Sequence, residues 1–484
     1  MMLPDLGAYP AQILWGINAI GAVAIIHFER GRPRSAILWL LLMLLIPFFG
    51  ILVYIFFGHS IHWVRPSLKR KEEGDMLRMD PISRGRKIAD PQAVLPCLGI
   101  SEYRGLAEMI QSTGSNLTEG NNITQFNWGK EKFDSLFKDI QEAKDHVHVQ
   151  YYIIRNDKLA GRFVDLLISK AREGVKVRFL IDDLGNKLPA KTVKRMRDAG
   201  VEVDTFFPSL LKHIPFLNLH VNHRNHRKIV IIDGRIGYVG GYNIGDEYLG
   251  EGKLGQWRDT HLRVEGQAVL DLQSRFLLDW DFASPRKLDV LPRYFPDLPA
   301  MGEVPLQIIS DGPDKRLDLI QEAYLKMIGT AQSKIYLQTP YFIPDQSILD
   351  ALKVAALSGV DVRVMIPMKP DHPLVHWANL SFLSELLKCG VKGYLFEQGF
   401  LHAKTIVVDG SVASIGSANW DIRSLELNFE TNAMIYCPRA AQKQEDAFLE
   451  DIGRSQEWSY EASLLMPLGQ KLKCGFSRVF SPLL

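Results

Sequence analysis

His226-Arg227-Lys228 is followed after four residues by Asp233, and His402-Ala403-Lys404 is followed after four residues by Asp409. Gly234 or Gly410 comes next, then a β-rich run, then Gly240-Gly241-Tyr242-Asn243 or Gly416-Ser417-Ala418-Asn419. From His to Asn is 17 positions in both copies. A lone His-x-Lys is common on solvated strands, but a second copy with matched Gly or Ser and Asn positions is a repeated reactive constellation. Its residue types suit a phosphodiester. Lysine and an asparagine amide can donate to non-bridging oxygens as charge builds in the transition state. A neutral imidazole can attack phosphorus, and a protonated one can give its proton to the leaving oxygen. Two copies supply both roles, and Lys228 and Lys404 can do the charge neutralisation a metal would otherwise do, so no cofactor and no metal is expected.

The elements that position these groups follow from the spacing. Asp-Gly between two β-rich runs is a strong hairpin signal, because a type I′ turn needs positive φ at both central residues. With Asp233-Gly234 and Asp409-Gly410 as two-residue loops, His226 falls opposite Gly241 and His402 opposite Ser417, small residues that leave room for substrate. His and Lys two apart share a strand face, and Asn243 and Asn419 continue the face of Gly241 and Ser417. Asp233 and Asp409 complete the catalytic motif, yet they have the opposite parity to the histidines and sit at the turn. A structural part is expected of them.

The duplication is wider than the motifs. His146 to Asp157 parallels Lys334 to Asp345, each followed by a helix-like stretch, a Gly-Val (Gly174, Gly359) and a β run, Val175 to Ile181 or Val360 to Ile366. Another Gly-Val (Gly200, Gly390) precedes each motif. Strands alternating with helical periods imply α/β units on a largely buried sheet. The expected architecture is two similar α/β/α domains about a pseudo-twofold, with a composite site at their seam. The proline-rich stretch Ser284 to Pro305 divides them, giving domains at 100–290 and 291–484.

Net charge is +2 over 484 residues, so no polybasic field points to nucleic acid. Cys97, Cys389, Cys437 and Cys474 show no Cys-x-x-Cys and read as free thiols. At the amino terminus, Ala11 to Phe28 is mostly apolar and Ser35 to Gly58 is free of charge, each long enough to span hydrocarbon. With the short basic connection Glu29 to Arg34 they predict a transmembrane hairpin within 1–60, followed by a basic linker over 61–99. Arg65, Lys69, Arg70 and Lys71 slightly outnumber the three arginines of the connection, which favours a cytoplasmic catalytic region on a multi-pass cell-membrane protein.

Other features carry plainer readings. His220, His223 and His226 stand at three-residue steps, but no Cys or acidic partner completes a zinc shell. Asp182-Asp183 ends a strand and reads as loop geometry. The apolar run Phe206 to Leu217 is core or a lip dipping into lipid. Leu374 to Leu383, with His376 and Trp377, is a helix face with the same two readings.

The paired motifs resemble the phospholipase D superfamily. Gly240 to Leu249, Trp257-Arg258-Asp259-Thr260-His261, Thr339 to Asp345 and the ending Phe480 to Leu484 look like bacterial cardiolipin synthases, and the likeness covers nearly the whole chain. It implies that His226 is a nucleophile forming a phosphatidyl-histidine and His402 the general acid and then base, although pseudo-symmetry would allow the exchange. It implies that Lys228, Lys404, Asn243 and Asn419 hold the phosphate. A carboxylate behind each His is also implied, Glu430 fitting the second copy and Asp259 the first. The activity expected on this resemblance is a membrane-bound phosphatidyltransferase that joins two phosphatidylglycerol molecules into cardiolipin and glycerol. Its partners would be phosphatidylglycerol, other anionic phospholipids and the membrane, with no nucleic acid. A phospholipase D hydrolase, another alcohol acceptor or, more remotely, a nuclease of the superfamily are the alternatives.

Overall fold

A computed structural model of the chain describes residues 8–30, 33–47, 49–57, 87–208, 223–315 and 317–481. Among the described residues a single sheet of sixteen strands runs through the body. From its middle outward through one half the order is Leu117–Trp128, Trp257–Glu265, Ile236–Gly240, Ile229–Ile232, His146–Tyr151, Lys176–Asp182 and Glu202–Phe206. Through the other half it is Val304–Asp311, Glu430–Ile435, Val412–Gly416, Thr405–Val408, Lys334–Gln338, Asp361–Pro367 and Lys392–Phe396, with Ser455–Trp458 added at the edge. The two halves match strand for strand, so the repeat in the sequence is a repeated α/β fold. They join where Leu117–Trp128 pairs antiparallel with Val304–Asp311, Leu117 opposite Gln307.

Local chemistry explains the matched elements. Asp157 and Asp345 end the two paralleled segments, and each caps the helix that follows, accepting from Ala160 N–H at 3.0 Å and from Ile348 N–H at 3.0 Å. Those helices, Lys158–Arg172 and Gln346–Leu357, are the crossovers that parallel strands require. His146–Tyr151 and Ile229–Ile232 are buried at every position, as expected of strands covered on both faces. One apolar cluster lies within each half, and a third takes residues from both, including Leu180, Ile231, Tyr336, Val407 and Phe429. That shared cluster makes the seam part of the core.

Three expectations change. The hairpin ladders place Ile232 opposite Ile236 and Val408 opposite Val412, one residue later than the two-residue reading. Asp233 and Gly234 do take φ of 54° and 64°, and Asp409 and Gly410 take 53° and 63°, so the Asp-Gly turn forms. Arg235 N–H closes it on Ile232 O at 3.0 Å, and Arg235 is then the extra residue before the ladder resumes. Part of the expected linker is folded: Asp90 caps the helix Pro91–Cys97, whose Leu95 joins the core of the carboxy-terminal half.

The expected second span is divided into helices Pro33–Leu45 and Phe49–Phe57, because Pro47 between them has no N–H to continue the ladder. Among the described residues no helix is long and apolar enough to cross a membrane. The first helix, Ala8–Phe28, packs with the others around Ile25, Trp39 and Met43. Phe206 and Phe207 are core, with Phe206 5.1 Å from Phe429 of the other half. The remainder of that run from 209 on, His220, and Arg65, Lys69, Arg70 and Lys71 lie outside the described residues.

Candidate active site

Each histidine stands just before its hairpin, on a short extended segment that pairs with the opposite half. His226 N–H donates to Phe429 O at 2.9 Å, and Phe429 N–H donates to Arg224 O at 2.8 Å. Equivalently, Phe400–Leu401 runs parallel to Trp257–Arg258, and His402 N–H donates to Arg258 O at 2.7 Å. Each segment therefore lies beside a strand of the other half whose next residue is acidic. His226 Nδ1 meets the Glu430 carboxylate at 2.8 and 3.0 Å, and His402 Nδ1 meets Asp259 at 2.6 Å. The resemblance had assigned Glu430 to the second copy and Asp259 to the first. The structure crosses them, because the parallel pairing across the seam brings the foreign strand closer to each imidazole.

Gly241 and Ser417 serve those carboxylates rather than opening space beside the imidazoles. A Cβ on Gly241 would stand 2.0 Å from Asp259 Oδ1, and Ser417 Oγ donates to Glu430 at 2.5 Å. Lys228 Nζ donates to His226 O at 2.6 Å; Lys404 Nζ donates to His402 O and lies 2.8 Å from His402 Nδ1. Asn243 accepts from Ile153 N–H at 3.1 Å and donates to Tyr248 at 3.0 Å, so its amide is held in place. Asn419 is buried, and its Oδ1 has no hydrogen-bond partner among the described residues.

Burial dominates the electrostatics. It pushes His226 down to about 4 against the opposing pull of Glu430. It pushes His402 down to about 3, with Lys404 adding to the effect and Asp259 opposing it. Both imidazoles are thus neutral near pH 7. With Nδ1–H given to a carboxylate, each keeps its Nε2 lone pair for chemistry. Lys404 is lowered to about 8 and Lys228 well below the usual lysine range, again by burial first. Lys404 also lowers His226 and Lys228 lowers His402, so the four groups share one field.

His226, His402, Asn243 and Asn419 line one cavity of about 370 Å³. Its wall also carries Tyr152, Tyr248 and Trp257, with Tyr152 4.9 Å from the His226 ring and Trp257 5.2 Å from the His402 ring. Arg224 and Arg423 line it as well. Sequence reasoning missed these side chains, since none belongs to the repeated pattern. It also missed what holds the motifs from behind. Arg227 Nη1 binds Asp279 at 2.7 and 2.8 Å, and Gln150 donates to the same carboxylate at 2.7 Å. In the second copy Ala403 replaces the arginine, and Arg258 reaches Asp451 at 2.8 Å, where Gln338 also donates at 2.8 Å. The signal was available in the matched Gln150 and Gln338 of the duplicated segments.

The motif aspartates lie at the far end of the hairpins from the imidazoles. Asp233 accepts from the N–H groups of Lys144, Asp145 and His146 at 2.8 to 2.9 Å. Asp409 accepts from those of Gln332, Ser333 and Lys334 at 2.8 to 2.9 Å and from Tyr103 Oη at 2.7 Å. They tie each turn to the start of the neighbouring strand and stand outside the cavity lining. Asp182 is likewise an organiser, accepting from Leu184 N–H and from Asn225 N–H at 3.0 Å each. His223 Nδ1 faces Leu427 O at 3.2 Å. In the helix Pro373–Leu387, Ala378, Leu380 and Leu383 are core, while Val375 reaches the cavity.

The family described as "Cardiolipin synthase, PLD-like domain" matches residues 136–270 and 324–452, and the family "Phospholipase_D-nuclease N-terminal" matches residues 16–59. The major cardiolipin synthase of Bacillus subtilis is 44% identical over 474 residues, 97% of each chain. A cardiolipin synthase of Listeria welshimeri is 43% identical over 99% of each chain. Among solved structures, a phosphatidylserine synthase of Haemophilus influenzae superimposes with a TM-score of 0.58 at 15% identity, covering 78% of this chain and 97% of that one, a likeness of fold.

Proposed function

Because this chain belongs to the cardiolipin synthase family of phospholipase D-like proteins, we propose that it joins two phosphatidylglycerol molecules into cardiolipin and glycerol at the crossed histidine pair. It is a phosphatidyltransferase. The observation that carries the reading is that each neutral imidazole is aligned through Nδ1 by a carboxylate from the other half, leaving two Nε2 atoms to serve one phosphorus. His226 Nε2 attacks phosphorus of the first lipid, and the bond to its headgroup glycerol breaks. The bound phosphate anion makes His402 more basic, so that its Nε2 takes a proton from water and then gives it to the leaving glycerol oxygen. His402 then removes the proton from a headgroup hydroxyl of the second lipid. That oxygen attacks phosphorus, the P–N bond breaks, and His226 is restored. Lys228, Lys404, Asn243 and Asn419 hold the non-bridging oxygens throughout, and Arg224 and Arg423 add positive potential for anionic lipid.

The amino-terminal helices, divided at Pro47, are the membrane anchor in this reading, with the catalytic body on the cytoplasmic side. Ile20, Val23, Ile26, Ile37, Leu41 and Leu44 are exposed on them and suit a hydrocarbon surrounding. A kinked span is tolerated in lipid when neighbouring helices satisfy the freed backbone groups. The test is incubation of purified full-length protein with labelled phosphatidylglycerol. Cardiolipin and glycerol in equal amounts are expected, with an acid-labile phosphatidyl adduct in the first turnover that survives a denaturing quench at neutral to alkaline pH. Phosphatidic acid as the sole lipid product would overturn transfer in favour of hydrolysis.

A further inference from the structure

The helix Leu468–Phe480 is amphipathic in an unusual sense, since it has two apolar-compatible faces. Its inner face buries Cys474 and Ser477 against the body. Its outer face exposes Leu468, Leu472, Phe476 and Val479, each more than half exposed. At 3.6 residues per turn these four side chains fall within roughly 80° of arc. A stripe of large apolar groups facing away from the core is costly in water and marks a surface that something covers.

The surroundings indicate what covers it. Lys471 and Lys473 flank the stripe on opposite sides, as in helices that lie in a lipid interface with basic residues at the headgroup level. The helix rests on Pro373–Leu387: Lys473 Nζ sits 5.1 Å from the Trp377 ring, and Arg478 lies over Phe382 and binds Glu385 at 2.6 Å. The start of that supporting helix is at the cavity, where His372 and Val375 form part of the wall and Leu374 is exposed. The helix that carries the stripe therefore packs on the one whose first turn lines the cavity.

We propose that the outer face of Leu468–Phe480 inserts into the interfacial layer of an anionic lipid bilayer and sets the cavity mouth against the membrane surface. It is a second membrane contact, separate from the amino-terminal helices. The inference rests on the reading of the substrate as a membrane phospholipid, but it concerns docking and not chemistry. The apolar side chains enter the headgroup and acyl boundary, and the flanking lysines meet phosphate. A headgroup can then pass from the bilayer to His226 and His402 without crossing open water.

Two measurements on the full-length chain test this. A fluorophore placed through Leu472→Cys, in a Cys97→Ser/Cys389→Ser background that leaves only buried native thiols, should be quenched by brominated phosphatidylglycerol in reconstituted vesicles. The same label at Lys443→Cys, on the exposed side of the helix Pro438–Ile452, should not be quenched. Equal quenching at both positions, or none at Leu472, overturns the proposal. Concentration-dependent energy transfer between labels on two copies, or a label that neither detergent-borne nor lipid-borne quenchers reach, would mean that a second copy or another part of the chain covers the stripe, which also overturns it. The double variant Leu472→Glu/Phe476→Glu alters side chains that are each more than half exposed. It should lower turnover on phosphatidylglycerol vesicles about tenfold or more relative to turnover on mixed detergent-lipid micelles. A wild-type protein that makes no cardiolipin in either system would defeat the proposed function while leaving the quenching result to stand alone.

Discussion

Glu430 and Asp259 occupy equivalent places but serve different histidines, so removing either carboxylate should damage a different chemical step. Glu430→Gln leaves His226 Nδ1 without its anion and should slow formation of the phosphatidyl adduct. Asp259→Asn should spare adduct formation from a p-nitrophenyl phosphodiester, whose leaving group needs no proton, and slow the later attack by alcohol. A loss of about 10⁴-fold in the affected step is expected by analogy with an aspartate that orients a catalytic histidine. Quenched-flow measurement of adduct and product separates the steps, and an identical defect in both variants would count against the assigned roles. Depressed imidazole pKa values set the acid behaviour. Because the folded values of about 4 and 3 lie below the unfolded value of about 6.5, the stability these groups contribute is complete above pH 6.5. It is lost as pH falls through the folded values. Nitrogen-15 imidazole spectra should show both rings neutral at pH 6 in lipid-free protein. The motif histidines, lysines and asparagines were legible because they repeat. Arg224, Arg423, Tyr152 and Trp257 were not, because only folding across the seam brings unrepeated residues to the same wall.

At the level of elements, the two Asp-Gly hairpins show which part of a motif is chemistry and which is framework. Asp409 organises three backbone N–H groups and the Tyr103 hydroxyl. Burial would raise its carboxyl, but these donors outweigh that and hold it below its ordinary value. Asp409→Ala should therefore cost about 2 to 3 kcal/mol of stability through lost charge-assisted hydrogen bonds. Turnover per folded molecule should be largely kept. Thermal unfolding compared with active-site titration checks this; a fully stable but inactive variant would return Asp409 to the chemistry. The turn was readable from Asp-Gly alone. The register was not, since periodicity cannot reveal that Arg235 and Ser411 add one residue beyond each turn. The crossing of the carboxylates was hidden for a related reason: pairing of short segments such as Asn225 with Phe429 leaves no sequence period.

On the scale of the whole molecule, the repeat, the composite site and the apolar cluster shared by both halves make one catalytic body, whose cores begin at Ala89. The amino-terminal helices form their own small cluster around Ile25, Trp39 and Met43 and contribute no residue to the cavity. Deleting residues 1–58 should leave the body folded and still able to turn over lipid in detergent micelles. Exhaustive chelation should leave that turnover intact, because the proposed mechanism assigns charge neutralisation to Lys228 and Lys404 and to no metal. On vesicles the truncated protein should bind loosely, through the outer face of Leu468–Phe480 and basic residues worth about 1 kcal/mol each near an anionic surface. Its attachment should weaken with salt, because the electrostatic part is screened within a Debye length of about 10 Å at 0.1 M, and it should be lost in alkaline carbonate. Flotation of full-length and truncated protein across a salt series, with circular dichroism on the same samples, measures both properties. An unfolded truncated protein would make the helices part of the core, and one that resists high salt and carbonate would place the principal anchor in the body itself.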